Sequence, residues 1–178
     1  TKNIDNEIPF DIPESWVFIR LKNICELISG RDLLPTEYNT DKEGIPYITG
    51  ASNFVMGKVE LVRWTMNPQV VTEVGDLLLT CKGTIGEMAL NNFGKAHIAR
   101  QIMAIRNIYN LNSDYLFLSL RFYINDLKDA SKGIIPGISR KDILELIVPM
   151  PPVYYQNATV SCIKKLDTAL LQIEENLN

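Results

Sequence analysis

The sequence predicts a mixed α/β fold: a small globular domain with a twisted β-sheet and short helices, followed by one long C-terminal helix. Three observations carry this prediction. Short apolar runs bounded by Gly, Pro and Asn recur through the middle, as at Leu77–Cys81 and Ile98–Asn107, which is the pattern of strands between turns. Asp114–Leu127 instead carries Leu116, Leu120, Tyr123 and Leu127 at spacings of 4, 3 and 4, the apolar stripe of an amphipathic helix. Val153–Leu177 contains neither Gly nor Pro, and Ile163, Leu166, Leu170, Ile173 and Leu177 recur at 3, 4, 3 and 4, the seam of a coiled coil.

Taken in order, residues 1–14 read as a proline-punctuated extended arm, 15–150 as the domain, and 151–178 as the long helix. The domain opens near Trp16 with a strand that is apolar at nearly every position and is expected to be buried on both faces. A short helix over Leu21–Ile28 follows, ending at Gly30. Arg31–Gly44 is a long polar surface loop, a kind of segment that often carries function. Pro46–Ile48 is a short strand, Gly50–Gly57 a turn-rich loop, and Lys58–Trp64 a further strand. Leu77–Cys81 and Glu87–Leu90 form a hairpin around the glycine turn Lys82-Gly83-Thr84-Ile85-Gly86, and Ile98–Asn107 adds another strand. Asn112 or Ser113 can cap the amphipathic helix, and Ser139 caps a short helix over Arg140–Leu146 after the glycine loop Lys132–Ile138. Ile147-Val148 is a last short strand.

At 178 residues with 46% hydrophobic content, such a chain can bury roughly 70% of its unfolded surface without a disulfide or metal. No apolar run approaches the ~20 residues of a membrane span. Cys25, Cys81 and Cys162 are odd in number and far apart, so a reduced, cytoplasmic protein is expected. The N-terminus has neither an initiator Met nor a basic-then-apolar leader, and the chain reads as a piece of a longer soluble protein.

Catalytic patterns are missing. The only histidine is His97; a triad needs a base to activate its nucleophile, but lone histidines are mostly structural or surface groups, and one His with scattered Cys cannot build a zinc tetrahedron. Lys82–Gly86 lacks the spacing of a phosphate-binding loop. Pro149–Tyr154 lacks the acidic or amide residue that would hold an amine at a methyltransferase site. The charge distribution is more informative. The net charge of −3 conceals a gradient: residues 77–141 hold nine bases and four acids, and the segments on either side are acidic. Arg100-Gln101 lies within that basic segment, and Arg and Gln can contact base edges bidentately, Arg at guanine and Gln at adenine. A polar pair at a strand end facing solvent would read the same way.

In order, Ile12-Pro13-Glu14-Ser15-Trp16, Gly44–Ile48, Val74–Leu79, Lys82–Gly86, Arg100-Gln101, Ile138–Ile143 and Ile147–Pro152 resemble the target recognition domain of the DNA-specificity subunit of type I restriction-modification systems. The resemblance runs from Ile12 to Leu177. It implies an α/β domain that reads one half of a bipartite double-stranded DNA target. It also implies a helix that pairs with a second recognition half or a second copy, spaces the half-sites, and docks methyltransferase and restriction subunits. The seam Ile163, Leu166, Leu170, Ile173 and Leu177 matches that helix. Tyr155-Gln156 departs from the family's frequent Glu-Gln, which bears only on a contact at the helix start. On this resemblance the chain is one half, either a natural half-subunit or a piece of a two-domain subunit, and has no catalytic residue, metal or cofactor of its own; S-adenosylmethionine, ATP and Mg are expected on partner subunits. The DNA-facing set is Lys82, Gly83 and Thr84 in the turn, Arg100 and Gln101, Lys132 in the glycine loop, and Arg140 and Lys141 after it. Arg31 and Asn53 are candidates for base reading. An adaptor that works only through its C-terminal helix is the alternative.

Overall fold

The computed structural model of the chain describes residues 7–109, 111–130 and 137–177. Its centre is a four-stranded antiparallel sheet in the order β2 (Cys25–Ser29), β10 (Ile102–Asn107), β7 (Leu77–Thr80), β8 (Met88–Leu90). Successive side chains of a strand point to opposite faces, and here both faces are covered. Leu27, Leu77, Leu79, Met103 and Ile105 face α1 (Ser113–Ala130), whose Tyr115, Leu116, Leu120, Tyr123 and Leu127 are buried against them. Leu78, Ile102 and Ala104 face the other way, onto Ile48, Ala96 and Ile98 of a second layer. Burial from both sides explains why Leu77-Leu78-Leu79 shows no alternation.

The second layer is a three-stranded sheet of β6 (Trp64–Thr65), β3 (Ile45–Ile48) and β9 (His97–Ile98), in which β3 and β9 run parallel. Two ribbons complete the set. β1 (Val17–Arg20) pairs with β11 (Ile147–Met150), and β4 (Phe54–Val55) pairs with β5 (Lys58–Val59). Pro149 is tolerated in β11 because a two-stranded ribbon leaves its missing N–H without a required partner. Phe10 of the N-terminal arm stacks edge-on against Phe18 and Phe122.

The structure corrects several expectations. Leu21–Ile28 is not a helix: Leu21–Asn23 is one 3-10 turn, and Cys25–Ser29 is β2. Pairing of Cys25–Ser29 with Met103–Asn107 decided the matter, since each β2 residue aligns with one of β10. The opening strand is not buried on both faces, because β1 has a single partner strand and Val17 is largely exposed. Ile98–Asn107 is two strands, broken at Ala99–Gln101 and assigned to different sheets. Lys58–Trp64 likewise divides into β5 and the start of β6. The short helix α2 (Arg140–Leu144) is closed at its start by a capping box in which Ser139 Oγ accepts from the Asp142 N–H.

α3 (Val153–Leu177) is 25 residues long, about 38 Å at 1.5 Å per residue. Its first turns are seated on the domain: Gln156 and Val160 are buried, and Lys164 Nζ reaches Asp114 at 2.8 Å. Beyond that the helix loses cover. Ile163 is half-buried, whereas Leu166, Leu170 and Ile173 are 58%, 58% and 55% exposed; the Leu177 side chain lies outside the described residues. Among the described residues no helix is long and apolar enough to cross a membrane.

Candidate nucleic-acid interface

The break between β9 and β10 makes a corner where the two sheets meet. The Ile102 N–H donates to Ala99 O at 2.9 Å, closing a turn that carries Arg100 and Gln101. Three segments are fastened to it. On one side the end of β2 crosses closely: Gly30 N–H donates to Ile102 O at 3.1 Å and Arg31 N–H to Ile98 O at 2.9 Å. A Cβ on Gly30 would lie 2.1 Å from Ala99 O, so only glycine allows this approach. On the other side the Cys81 N–H donates to Gln101 O at 2.7 Å, and the Cys81 thiol lies 3.2 Å from the same oxygen. Burial pushes the Cys81 thiol up from its ordinary range, with Lys82 opposing, so the thiol remains a donor. Beyond Cys81, Lys82 pairs with Gly137, and Ile138 N–H donates to Cys81 O at 2.9 Å. The third segment is the loop after β3, where Gly50 lies beneath the Gln101 carboxamide.

These bonds bring five of the expected DNA-facing side chains to one edge. Arg31, Lys82, Arg100 and Gln101 are all exposed around the corner. Arg140 reaches the same edge from α2, its Nη1 donating to Ser29 Oγ at 2.8 Å, one residue before Gly30. Gly83 has φ of +72°, a conformation that favours glycine, and Thr84 is exposed beside it at the end of the hairpin.

Other expected residues fall elsewhere. Lys141 lies one turn of α2 from Glu145, whose carboxyl is held below its usual range chiefly by Lys22 and also by Arg20 and Lys141; it belongs to that cluster rather than to the corner. Asn53 is 1% exposed, and its side chain is consumed locally. Its Oδ1 accepts from the Thr49 and Gly50 N–H groups and its Nδ2 donates to Glu60 O. Asn53 shapes the loop and presents nothing to solvent, so the expectation that it reads bases is corrected. Lys132 and the rest of the glycine loop through Pro136 lie outside the described residues.

His97 is fully buried. Its Nε2 lies 2.8 Å from Arg31 O, and its Nδ1 lies 3.2 Å from Val70 N and 2.9 Å from Val70 O. It pins the Arg31 loop to the second layer. Among the described residues no three His, Cys, Asp or Glu side chains gather in a way that could hold a metal ion.

Two residues that sequence reasoning passed over belong to the edge. Asp32 forms an ion pair with Arg100, Oδ2 to Nε at 2.7 Å, and also accepts from the Arg100 backbone N–H at 3.1 Å. Lys128, at the end of α1, lies across Gly86 of the hairpin turn. Neither has a local signal, since Asp32 is 68 positions from Arg100 and Lys128 looks like an ordinary solvated helix residue.

A family model for the type I restriction modification DNA specificity domain matches residues 13–178. Two curated proteins of Methanocaldococcus jannaschii are similar. The putative type I restriction enzyme MjaX specificity subunit is 26% identical over 161 residues, and the type I restriction enzyme MjaVIII specificity subunit is 27% identical over 184. The alignments take in 88% and 93% of this chain but only 38% and 39% of those proteins. Among solved structures, the HsdS subunit from Thermoanaerobacter tengcongensis superposes with a TM-score of 0.82 at 23% identity, covering 94% of this chain and 41% of its own. A chain from a structure described as the basis of complex assembly and conformational transition of the type I R-M system gives 0.83 at 24% identity, with 94% and 42% covered. At these identities the two superpositions speak to the fold.

Proposed function

Because the chain belongs to the type I restriction modification DNA specificity domain family, we propose that it is a sequence-reading DNA-binding module that recognises one half of a bipartite target. One observation carries this reading: Arg31, Lys82, Arg100, Gln101 and Arg140, scattered over 110 positions, converge on the β9–β10 corner. Cations there neutralise phosphates, and the adjacent Arg and Gln supply the two side chains that contact guanine and adenine bidentately. Lys128 and Thr84 extend the cationic and polar border along the hairpin. Asn53 supports the loop beside Gln101 and is not a reader.

The exposed stripe Leu166, Leu170 and Ile173 on α3 pairs with a second recognition half or a second copy. Through that pairing the domain directs methyltransferase and restriction subunits, which hold the catalytic sites and their cofactors, to the target. The chain spans about two fifths of its curated relatives, as half a subunit would.

Gel-shift titration of the complex assembled on the full-length protein tests the reading. Lys82→Ala weakens binding to all sequences alike and lowers the salt slope by about one. Gln101→Ala instead changes which sequence is preferred, at about 1–3 kcal/mol for a lost base contact. Binding unchanged in both variants would show that the corner is not the interface.

A further inference from the structure

We infer that Asp32 is a positioning residue for base reading: it holds Arg100 by Nε so that the outer edge of the guanidinium is presented to a guanine of the target. This rests on the corner being the reading site.

The Asp32 carboxylate is spent on a single residue. Oδ2 takes the Arg100 Nε–H at 2.7 Å and Oδ1 the Arg100 backbone N–H at 3.1 Å. Fastening both ends of a long side chain to one planar acceptor restricts its rotamers, and it leaves the Nη groups, which make no hydrogen bond among the described residues, facing outward. A guanidinium held by Nε offers a pair of parallel N–H donors, the complement of guanine O6 and N7. Asp32 is itself fixed from both sides: Arg31 N–H donates to Ile98 O, Arg31 O meets His97 Nε2, and Leu33 N–H donates to Tyr47 Oη. A rigid backbone, a fixed carboxylate and an oriented arginine make a preorganised contact.

A merely structural role accounts poorly for this pair. The Arg100 side chain is 70% exposed and that of Asp32 46%, and exposed ion pairs add little to stability. A carboxylate among cations also opposes attraction to phosphate. It therefore lowers affinity for all DNA while sharpening the choice of base at one position.

The test uses the assembled complex and a pool of double-stranded DNA randomised across the half-site, with base preferences read by sequencing the bound fraction. Asp32→Ala reduces the preference for guanine at one position about tenfold, within the range of a bidentate contact, while affinity for unrelated DNA holds or rises. Asp32→Asn, which keeps one acceptor, retains part of the preference. Equal loss on all sequences in Asp32→Ala would overturn the role. Arg100→Ala separates the two claims: a guanine preference lost there but intact in Asp32→Ala overturns the role of Asp32 alone. No change in either variant overturns the corner as the reading site.

Discussion

Gln156→Ala tests how the domain is joined to its helix. Gln156 is 1% exposed at the first turn of α3. Its Oε1 accepts from the Asn112 N–H at 3.0 Å, and its Nε2 donates to Pro151 O at 2.9 Å and lies 3.4 Å from Met150 Sδ. Asn112 in turn caps α1, its Oδ1 accepting from the Tyr115 N–H, and its Nδ2 reaches Asn157 at 2.7 Å. One carboxamide thus joins the start of α1, the end of β11 and the base of α3. Truncation strips a buried donor and a buried acceptor of their partners, each costing about 1–3 kcal/mol, and leaves a small void. Because water can partly reach the site once it loosens, the expected total is about 2–4 kcal/mol. At about 2–4 °C per kcal/mol for a chain of this size, melting falls by roughly 5–15 °C. Urea unfolding of the chain followed by circular dichroism measures the loss as a shift in midpoint at constant slope. Gln156→Glu keeps the acceptor for Asn112 but sets a carboxylate against Pro151 O, so its deficit is at least as large at neutral pH and shrinks as acid protonates it. A loss under about 0.5 kcal/mol in Gln156→Ala, the range of an ordinary surface change, would show that Gln156 does not tie α1, β11 and α3 together.

Further outcomes follow from particular contacts. Gly50→Ala brings a Cβ within 2.3 Å of Gln101 Oε1, the free end of a flexible side chain; base preference shifts while stability changes by under about 1 kcal/mol. Gly30→Ala meets the backbone at Ala99 O and loses about 3 kcal/mol or more; equal stabilities in urea would contradict both. Burial pushes the Cys25 thiol up from 9.0 to about 12. An ordinary thiol reagent therefore modifies exposed Cys162 in the native chain and reaches buried Cys25 and Cys81 only on unfolding. The folded thiol resists ionising, so its contribution to stability is complete below pH 9 and is lost as pH rises from 9 towards 12; unfolding titrations of Cys25→Ala descend less steeply over that window. Leu166→Asp with Leu170→Asp, both at 58% exposure, leaves domain stability within about 0.5 kcal/mol yet abolishes pairing through α3 by sedimentation; intact pairing would place the contact elsewhere.

Much of the fold was legible because its signals are local. The spacing in α1, the Ser139 cap of α2, the glycine turn between β7 and β8, and the unbroken apolar run of β7 each depend on neighbouring residues. The misreadings occur where distant partners decide. Leu21, Ile24, Cys25 and Ile28 have helical spacing, but five paired residues of β10 hold Cys25–Ser29 extended. The turn at Ala99–Ile102 contains neither Gly nor Pro, so nothing in it marked a break between the apolar residues on either side, and the corner itself was concealed. The site was legible as residue types, an Arg-Gln pair and a basic segment. Its geometry was not, because Gly30 with Asp32, Gly50, and Cys81 meet the corner from three separate parts of the chain. Asn53 failed as a reader for a related reason: a polar residue in a loop looks available until its hydrogen bonds are counted.

The most direct test of the central claim is to map methylated sites across the genome of a host carrying the full protein, with and without Arg100→Ala plus Gln101→Ala. In the double variant one half of the methylated motif becomes degenerate at one or two positions, while the other half and the spacing between them stay fixed. A motif unchanged in both halves, with methylation still efficient, would show that the sequence is read somewhere other than the β9–β10 corner.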